Sequence, residues 1–329
     1  MHHDPIWWVG FNLLVVGLLA LDLGVFHRDA HEVKPKEAAI WSAVWVTLSL
    51  LFAGFVYLEF GYQSFEDFLT GYIIEKSLSV DNLFVFVLIF TYFKVPARFQ
   101  HRILFWGILG ALVMRASLIG LGAFLLERFH WIIYVFGAFL VITGLRMGFG
   151  ADHDVDVEHN PLIRLVRKKF PVTPQYHGQK FFIRKDGQIW VTPMLIVLLL
   201  IESTDLVFAL DSIPAIFAIT DDTFIVYTSN IFAILGLRAL YFLLADVVTR
   251  FYALRYGLAL ILVYIGVKML ITFFHIEIPT FISLIVVLSV LALSVGISLL
   301  FPKKDLMIER AEREGGVGKI EEEESSVEN

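Results

Sequence analysis

The sequence predicts an all-α polytopic membrane protein: nine transmembrane helices with an inverted repeat of two three-helix units. Three observations predict it. Apolar residues make up 58% of the 329 residues and charged residues 18%, against about 45–50% and about 25% in soluble domains. The apolar residues gather in runs long enough to cross a hydrocarbon core, which takes roughly 20 residues per helix. Two groups of three such runs carry matching charged residues in the same order. With a mean hydropathy of +0.75, this composition excludes a disordered chain and argues against a soluble enzyme. A net charge of −6 gives no footing for nucleic-acid binding. The absence of cysteine removes disulfides, thiolate metal sites and cysteine nucleophiles together.

Nine segments reach the spanning length, near 6–26, 38–58, 66–93, 103–126, 131–149, 193–218, 224–246, 256–274 and 280–301. The start, MHHDPIWWVG, has no basic n-region and no small-residue cleavage site, so no removable signal peptide is expected. Trp7 and Trp8 suit an outer interfacial belt. Asp22, late in the first span, reads as interfacial.

Lys and Arg in the connections set the orientation. The first connection holds Arg28, Lys34 and Lys36, and the second, Glu59 to Asp67, holds no base. The third holds Lys94, Arg98 and Arg102, and the fourth only Arg128 beside Glu127. The fifth holds Arg164, Arg167, Lys168, Lys169, Lys180, Arg184 and Lys185. The sixth has Asp221 and Asp222 with no base, the seventh Arg250 and Arg255, the eighth none, and the tail begins Lys303-Lys304. Odd connections are basic and even ones are not. The expected layout has its N-terminus outside and its C-terminus in the cytoplasm.

The units are two N-terminal spans over 1–63, a first three-span repeat over 64–149, a cytoplasmic loop over 150–192, a second repeat over 193–274, a ninth span over 275–302 and a disordered acidic tail over 303–329. Inside the loop, Lys180–Lys185 and Gln188–Thr192 flank Asp186-Gly187, the signature of a two-residue hairpin. The acidic run Asp152–His159 reads as solvated loop, with cation gathering at the cytoplasmic mouth as the alternative. Asp246 and Arg250 are spaced as an i,i+4 pair.

The repeat is carried by residues that apolar composition does not supply. Ser79-Val80-Asp81-Asn82-Leu83-Phe84 matches Ser203-Thr204-Asp205-Leu206-Val207-Phe208 at offset 124. Arg115-Ala116 matches Arg238-Ala239 at offset 123, and Gly144-Leu145-Arg146-Met147 matches Gly266-Val267-Lys268-Met269 at offset 122. Each copy has three spans, an odd number, so the second copy is inverted. Inverted repeats place binding sites near the midplane.

The third span carries Glu75, Lys76, Asp81 and Asn82, and the sixth carries Glu202, Asp205 and Asp211. A charge at the bilayer centre costs about 2.5–3.5 kcal/mol on insertion scales, so five carboxylates need partners, water or a cation. Glu202 and Asp205 share a helix face. Glu75 and Asp81 are six apart, as are Asp205 and Asp211, and converge on one ion only if the backbone bends or unwinds between them. Ser77 and Ser79 lie in the first gap, and Pro214 follows the second. Carboxylates, an amide and hydroxyls are hard oxygen ligands, suited to Mg²⁺, Ca²⁺ or Mn²⁺. Arg115 and Arg238, at repeat-equivalent positions, are candidate counter-charges or structural ion-pair partners. Lys76 has no evident place.

The segments Glu75–Phe86 and Glu202–Ala215 resemble the two signature segments of the TerC family. The start, with Trp7, Trp8 and Asp22, and the nine-span layout are closest to its Alx-type members, and the resemblance covers roughly residues 1–305. It implies manganese efflux, with the acids of both signatures binding the transported metal.

The expected function is therefore export of a divalent metal, Mn²⁺ first, through a midplane site formed or flanked by Glu75, Asp81, Asn82, Glu202, Asp205 and Asp211. Alternating access would move the ion, with H⁺ antiport as an open coupling. The expected partners are Mn²⁺ as substrate and the lipid bilayer. Neither a resident cofactor nor an enzymatic activity is expected. The rivals are transport of Ca²⁺ or protons alone, and a non-transporting scaffold acting through the basic loop. An intramembrane aspartyl protease lacks support, because no Gly-x-Gly-Asp segment is present.

Overall fold

A computed structural model describes residues 4–21, 35–129, 131–149, 160–185, 187–244, 252–274, 276 and 278–300. Asp22, the acidic run Asp152–His159, the pair Asp246 and Arg250 and the tail from Lys303 lie outside the described residues.

The first helix, α1 (Pro5–Leu21), opens on a proline, whose missing N–H is no loss at a helix start. The next, α2 (Pro35–Tyr92), is continuous except at Gly61, where φ is 85°. Glycine takes that left-handed conformation without a Cβ penalty. The chain folds back there. The rings of Phe52 and Phe68 lie 5.4 Å apart and those of Tyr57 and Phe65 5.9 Å apart. In an unbroken helix, residues 52 and 68 would stand about 24 Å apart. The expected second connection is thus one glycine turn, and α2 is a hairpin of two helical arms.

Pro96 precedes α3 (Ala97–Arg128), followed by α4 (Ile132–Phe149). In the connecting segment, Asn160 caps α5 (Pro161–Lys169) by accepting from the N–H groups of Leu162 and Ile163 at 3.0 and 3.3 Å. Strands β1 (Phe182–Lys185) and β2 (Gln188–Val191) pair antiparallel, Lys185 opposite Gln188, with Gly187 at φ 77° in the turn. Then come α6 (Pro193–Phe217), α7 (Thr223–Leu235) and α8 (Leu237–Leu244). Asp222 caps α7, and α7 and α8 form a pair bent by 40° at Gly236. The last helices are α9 (Tyr252–Ile271) and α10 (Thr280–Leu300).

Among the described residues, six helices are long and apolar enough to cross a membrane, or seven if the bent pair α7–α8 counts as one crossing. That tally takes α2 as a single piece and leaves out the 17-residue α1. The chain is a mostly helical, multi-pass membrane protein.

The core is built around α7, which is buried from Phe224 to Leu235. Its polar residues Thr228, Ser229 and Asn230 are all buried in protein and turned away from lipid, as polar groups inside a span require. Both arms of α2, together with α3 and α8, pack on it. α1 closes one flank through Trp8 on Phe224 and Phe11 on Phe232, with ring centroids at 5.3 and 5.8 Å. A second packed group joins α4, α9 and α10. Helices in lipid gain little from apolar burial alone and associate through close contact of small residues. Gly137, Gly144 and Gly266 supply that contact between α4 and α9, where an added Cβ would lie within 3.0 Å of the facing backbone.

The connecting segment 160–192 docks on the bundle. Asn160 Nδ2 donates to Ser203 Oγ at 2.8 Å, and the Tyr176 hydroxyl donates to the Phe93 carbonyl at 2.9 Å. Burial pushes the Tyr176 phenol up to about 12.

Candidate functional site

Polar side chains from four helices form one hydrogen-bonded cluster, and Ser79 lies on the same α2 face. The second arm of α2 supplies Glu75, Ser79 and Asn82, all buried. Their i, i+4, i+7 spacing puts them on a single helix face. α6 supplies Asp205 and Ser212, seven apart and on one face for the same reason. α3 supplies Arg115, and α7 supplies Asn230. Each of these residues is at most 3% exposed.

The Arg115 guanidinium is the centre. It forks onto Asp205, with Nη2 to Oδ1 at 3.1 Å and Nε to Oδ2 at 3.4 Å. Its Nη1 donates to Glu75 Oε1, to Ser212 Oγ at 3.1 Å and to Asn230 Oδ1 at 3.4 Å. Asn230 Nδ2 donates back to Glu75 Oε2 at 3.0 Å. Asn82 Nδ2 donates to Asp205 Oδ1 at 3.4 Å, joining the two signature segments directly. Two carboxylates share one guanidinium, so the cluster carries a net negative charge when both are ionised. Asn82 Oδ1 in the cluster, and Ser79 Oγ on the same α2 face, are buried with no hydrogen-bond partner among the described residues.

The sequence residues divide accordingly. Glu75, Asn82, Asp205 and Arg115 meet. Glu202 lies one turn before Asp205, half-buried, and its carboxylate occupies the space a Cβ on Gly110 would need. Asp211 is half-buried on α6, and Arg238 is buried on α8. Asp81 belongs to α2 and its side chain lies outside the described residues. Among the described residues, no group of three or more His, Asp and Glu side chains is gathered as a ready metal shell.

The expected unwinding between the paired acids is absent. α2 is helical from Gly71 through Tyr92, and α6 runs unbroken past Pro214 to Phe217. Convergence comes instead from different helices facing one another, so no break is needed. The bend that does occur sits at Gly236. Lys76 reaches it, donating from Nζ to the Ala233 carbonyl at 3.1 Å, near the C-terminal end of α7, where a cation is favoured. A Cβ at Gly236 would stand 2.8 Å from that ammonium.

Sequence reasoning missed Asn230 and Ser212 as members of the cluster. Asn230 was detectable as a lone amide within an apolar span, which lipid tolerates only when it is satisfied. It also missed a second polar group formed by α2, α9 and α10. There Asp67 accepts from Gln63 Nε2 at 2.9 Å and bonds Thr220 and Thr280, and it lies within charge range of Lys268. Lys268 Nζ donates to Ser283 Oγ at 3.1 Å.

Three comparisons bear on this site. The family described as "Integral membrane protein TerC family" matches residues 60–306, a span that contains every residue of the cluster. The membrane protein STKORF319 of Myxococcus xanthus is 52% identical over 297 residues, covering 90% of this chain and 93% of that one. A protein of Escherichia coli (strain K12), provisionally named membrane-bound redox modulator Alx, is 50% identical over 299 residues, covering 88% and 93%. A membrane protein of Rickettsia bellii is 44% identical over 293 residues, covering 89% and 97%. No solved structure matches the chain.

Proposed function

The chain belongs to the TerC family of integral membrane proteins, and from that premise we propose that it is an inner-membrane exporter of a divalent cation, with Mn²⁺ as its cargo. The observation that carries this reading is the sealed cluster of Glu75, Asp205, Asn82, Ser79 and Arg115. A buried net negative charge is costly, and an arriving cation relieves it. The oxygens on offer are carboxylate, amide and hydroxyl, a hard set that suits Mn²⁺, Mg²⁺ or Ca²⁺. Glu202 and Asp211 add two half-buried acids on α6.

In this reading the chain crosses the membrane nine times. α2 contributes two crossings through its Gly61 turn, α7 and α8 together one, and α1 one. The N-terminus faces outward and the C-terminus the cytoplasm. The two three-span units are inverted copies, an arrangement supported by the α4–α9 contact. Gly137 faces Gly266, and Gly144 faces Ala259. Gly144 and Gly266 are repeat-equivalent at offset 122, and the same offset carries residue 137 to 259. The two contacts therefore exchange when the copies are exchanged, as a two-fold relation demands. Cargo enters from the cytoplasm and leaves outside as one copy rocks against the other, with the Gly236 bend as the give in the frame.

The printed name of the E. coli relative points to redox balance. This chain has no cysteine, so thiol chemistry of its own is closed to it. Setting the level of a redox-active metal is a route that the cluster could serve.

The test is cation flux in proteoliposomes across Mn²⁺, Ca²⁺, Mg²⁺ and a proton gradient alone. Mn²⁺ movement that requires Asp205 supports the reading. Ca²⁺ or proton movement without Mn²⁺ replaces the cargo. No flux of any cation would favour a scaffold.

A further inference from the structure

The guanidinium of Arg115 occupies the place where a cation reading needs a cation. It is fully buried and engages both acids of the cluster. It also draws on Ser212 and Asn230, so that four helices close around it. The α2 face that enters this satisfied centre also carries two unsatisfied oxygens. Ser79 Oγ is completely buried and Asn82 Oδ1 nearly so, and neither has a hydrogen-bond partner among the described residues. Both lie on the α2 face that carries Glu75, and the other end of the Asn82 amide is already anchored on Asp205. A buried acceptor left empty is unfavourable, and a ligand able to use it relieves that cost.

We propose that Arg115 is a tethered cation that holds the carboxylates of Glu75 and Asp205 between transport events, and that cargo displaces it, taking those carboxylates together with Ser79 Oγ and Asn82 Oδ1. This rests on the cation-export reading and names its ligand set and its resetting step. Arginine suits the role because its fixed fork spans two acids at once and stays charged at any physiological pH. With cargo absent, the guanidinium is held by both acids, so the empty site resets with one net negative charge in place of two. With cargo bound, the guanidinium must leave, so arrival of the ion and release of Arg115 are one event. α3, which carries Arg115, packs on both α6 and α7, so that release is felt by the helices on either side of the site.

The test uses the purified full-length protein and Mn²⁺ itself, with binding read by calorimetry and export read in proteoliposomes. Arg115→Lys keeps the charge but cannot bridge both acids. Loss of one charge-assisted bond corresponds to a factor on the order of tenfold, so the variant is expected to bind Mn²⁺ about tenfold tighter while exporting it more slowly. Ser79→Ala removes an oxygen with no partner in the empty protein. It is expected to raise the melting temperature of cation-free protein slightly, because an unsatisfied buried group is removed, and to weaken Mn²⁺ binding several-fold. Unchanged or weaker binding in folded Arg115→Lys overturns the exchange, because an arginine that only braces the helices gives that result. Unchanged binding in Ser79→Ala overturns the ligand set, and this arm decides the matter if Arg115→Lys does not fold. Wild-type protein that binds and exports no divalent cation would sink the export reading itself, a result distinguishable from both.

Discussion

Replacing Arg115 by Met keeps the approximate volume of the side chain and deletes its charge, leaving Glu75 and Asp205 facing each other in a sealed space. Their side chains are 0% and 5% exposed, and that of Arg115 is 1%. Removing one partner of a buried ion pair costs about 3–5 kcal/mol. Two pairs are broken here, but they share one guanidinium and one network, so the terms do not add. The stranded acids also limit the loss by taking up protons. The expected destabilisation is therefore about 3–5 kcal/mol, a third or more of the roughly 5–15 kcal/mol that holds a typical protein together. Folded yield should drop and the apparent melting temperature should fall. The triple variant Arg115→Met, Glu75→Gln, Asp205→Asn removes the stranded charges together with the guanidinium and should recover most of the loss, because replacing a whole buried ionic group is often neutral. Size-exclusion profiles and tryptophan-monitored melting in detergent read both. A single variant as stable as wild type, or a triple variant no better than the single one, would show that charge compensation is not what Arg115 contributes.

Four further outcomes are expected. Asp81→Asn and Asp205→Asn should each abolish Mn²⁺ export while the protein still reaches the membrane, whereas Asp154→Asn should export normally; full export in both midplane variants removes the acids from the transport site. Reporter fusions at Gly178 and after Lys304 should both report cytoplasm and one near Asp222 outside, and the nine-crossing layout fails if Gly178 and Asp222 share a side. Gly266→Leu should lower the melting temperature sharply, because even its Cβ would lie 2.6 Å from the Gly137 carbonyl oxygen, and overpacking typically costs about 1–3 kcal/mol where side chains can move; an unchanged melting temperature would refute the α4–α9 contact. Tyr176→Phe should cost about 1 kcal/mol from the lost bond to Phe93. Because the folded phenol is pushed up to about 12, its contribution is complete below pH 10 and is lost as pH rises toward 12; the Phe variant should lose less stability over that interval, as alkaline melting curves would record.

What the sequence determined by itself is the membrane class and the family, and it singled out the charges inside the apolar runs. Apolar runs and basic connections are local properties: each residue's transfer from water to lipid depends on its own chemistry, so composition and spacing suffice to read it. The hairpin at Asp186-Gly187 was legible for the same reason, since a two-residue turn is set by its own backbone preferences. The acids were legible because a charge in an apolar run is anomalous wherever it ends up.

What only the tertiary structure decided is who meets whom. Glu75 and Asp81, six apart, suggested an unwound helix, yet the helix is intact. Glu75 finds Arg115 from α3 and Asn230 from α7, while Asp205 finds Arg115 and Asn82. Lys76, unplaceable from its neighbours, holds a carbonyl at the bend in another helix. Asp67 and Lys268, distant in sequence, come within charge range of each other. The physical reason is common to all of them. A helix fixes which side chains share its own face, but the partner of that face is chosen by how helices pack. That choice depends on contacts between segments far apart in the chain, which no local pattern encodes.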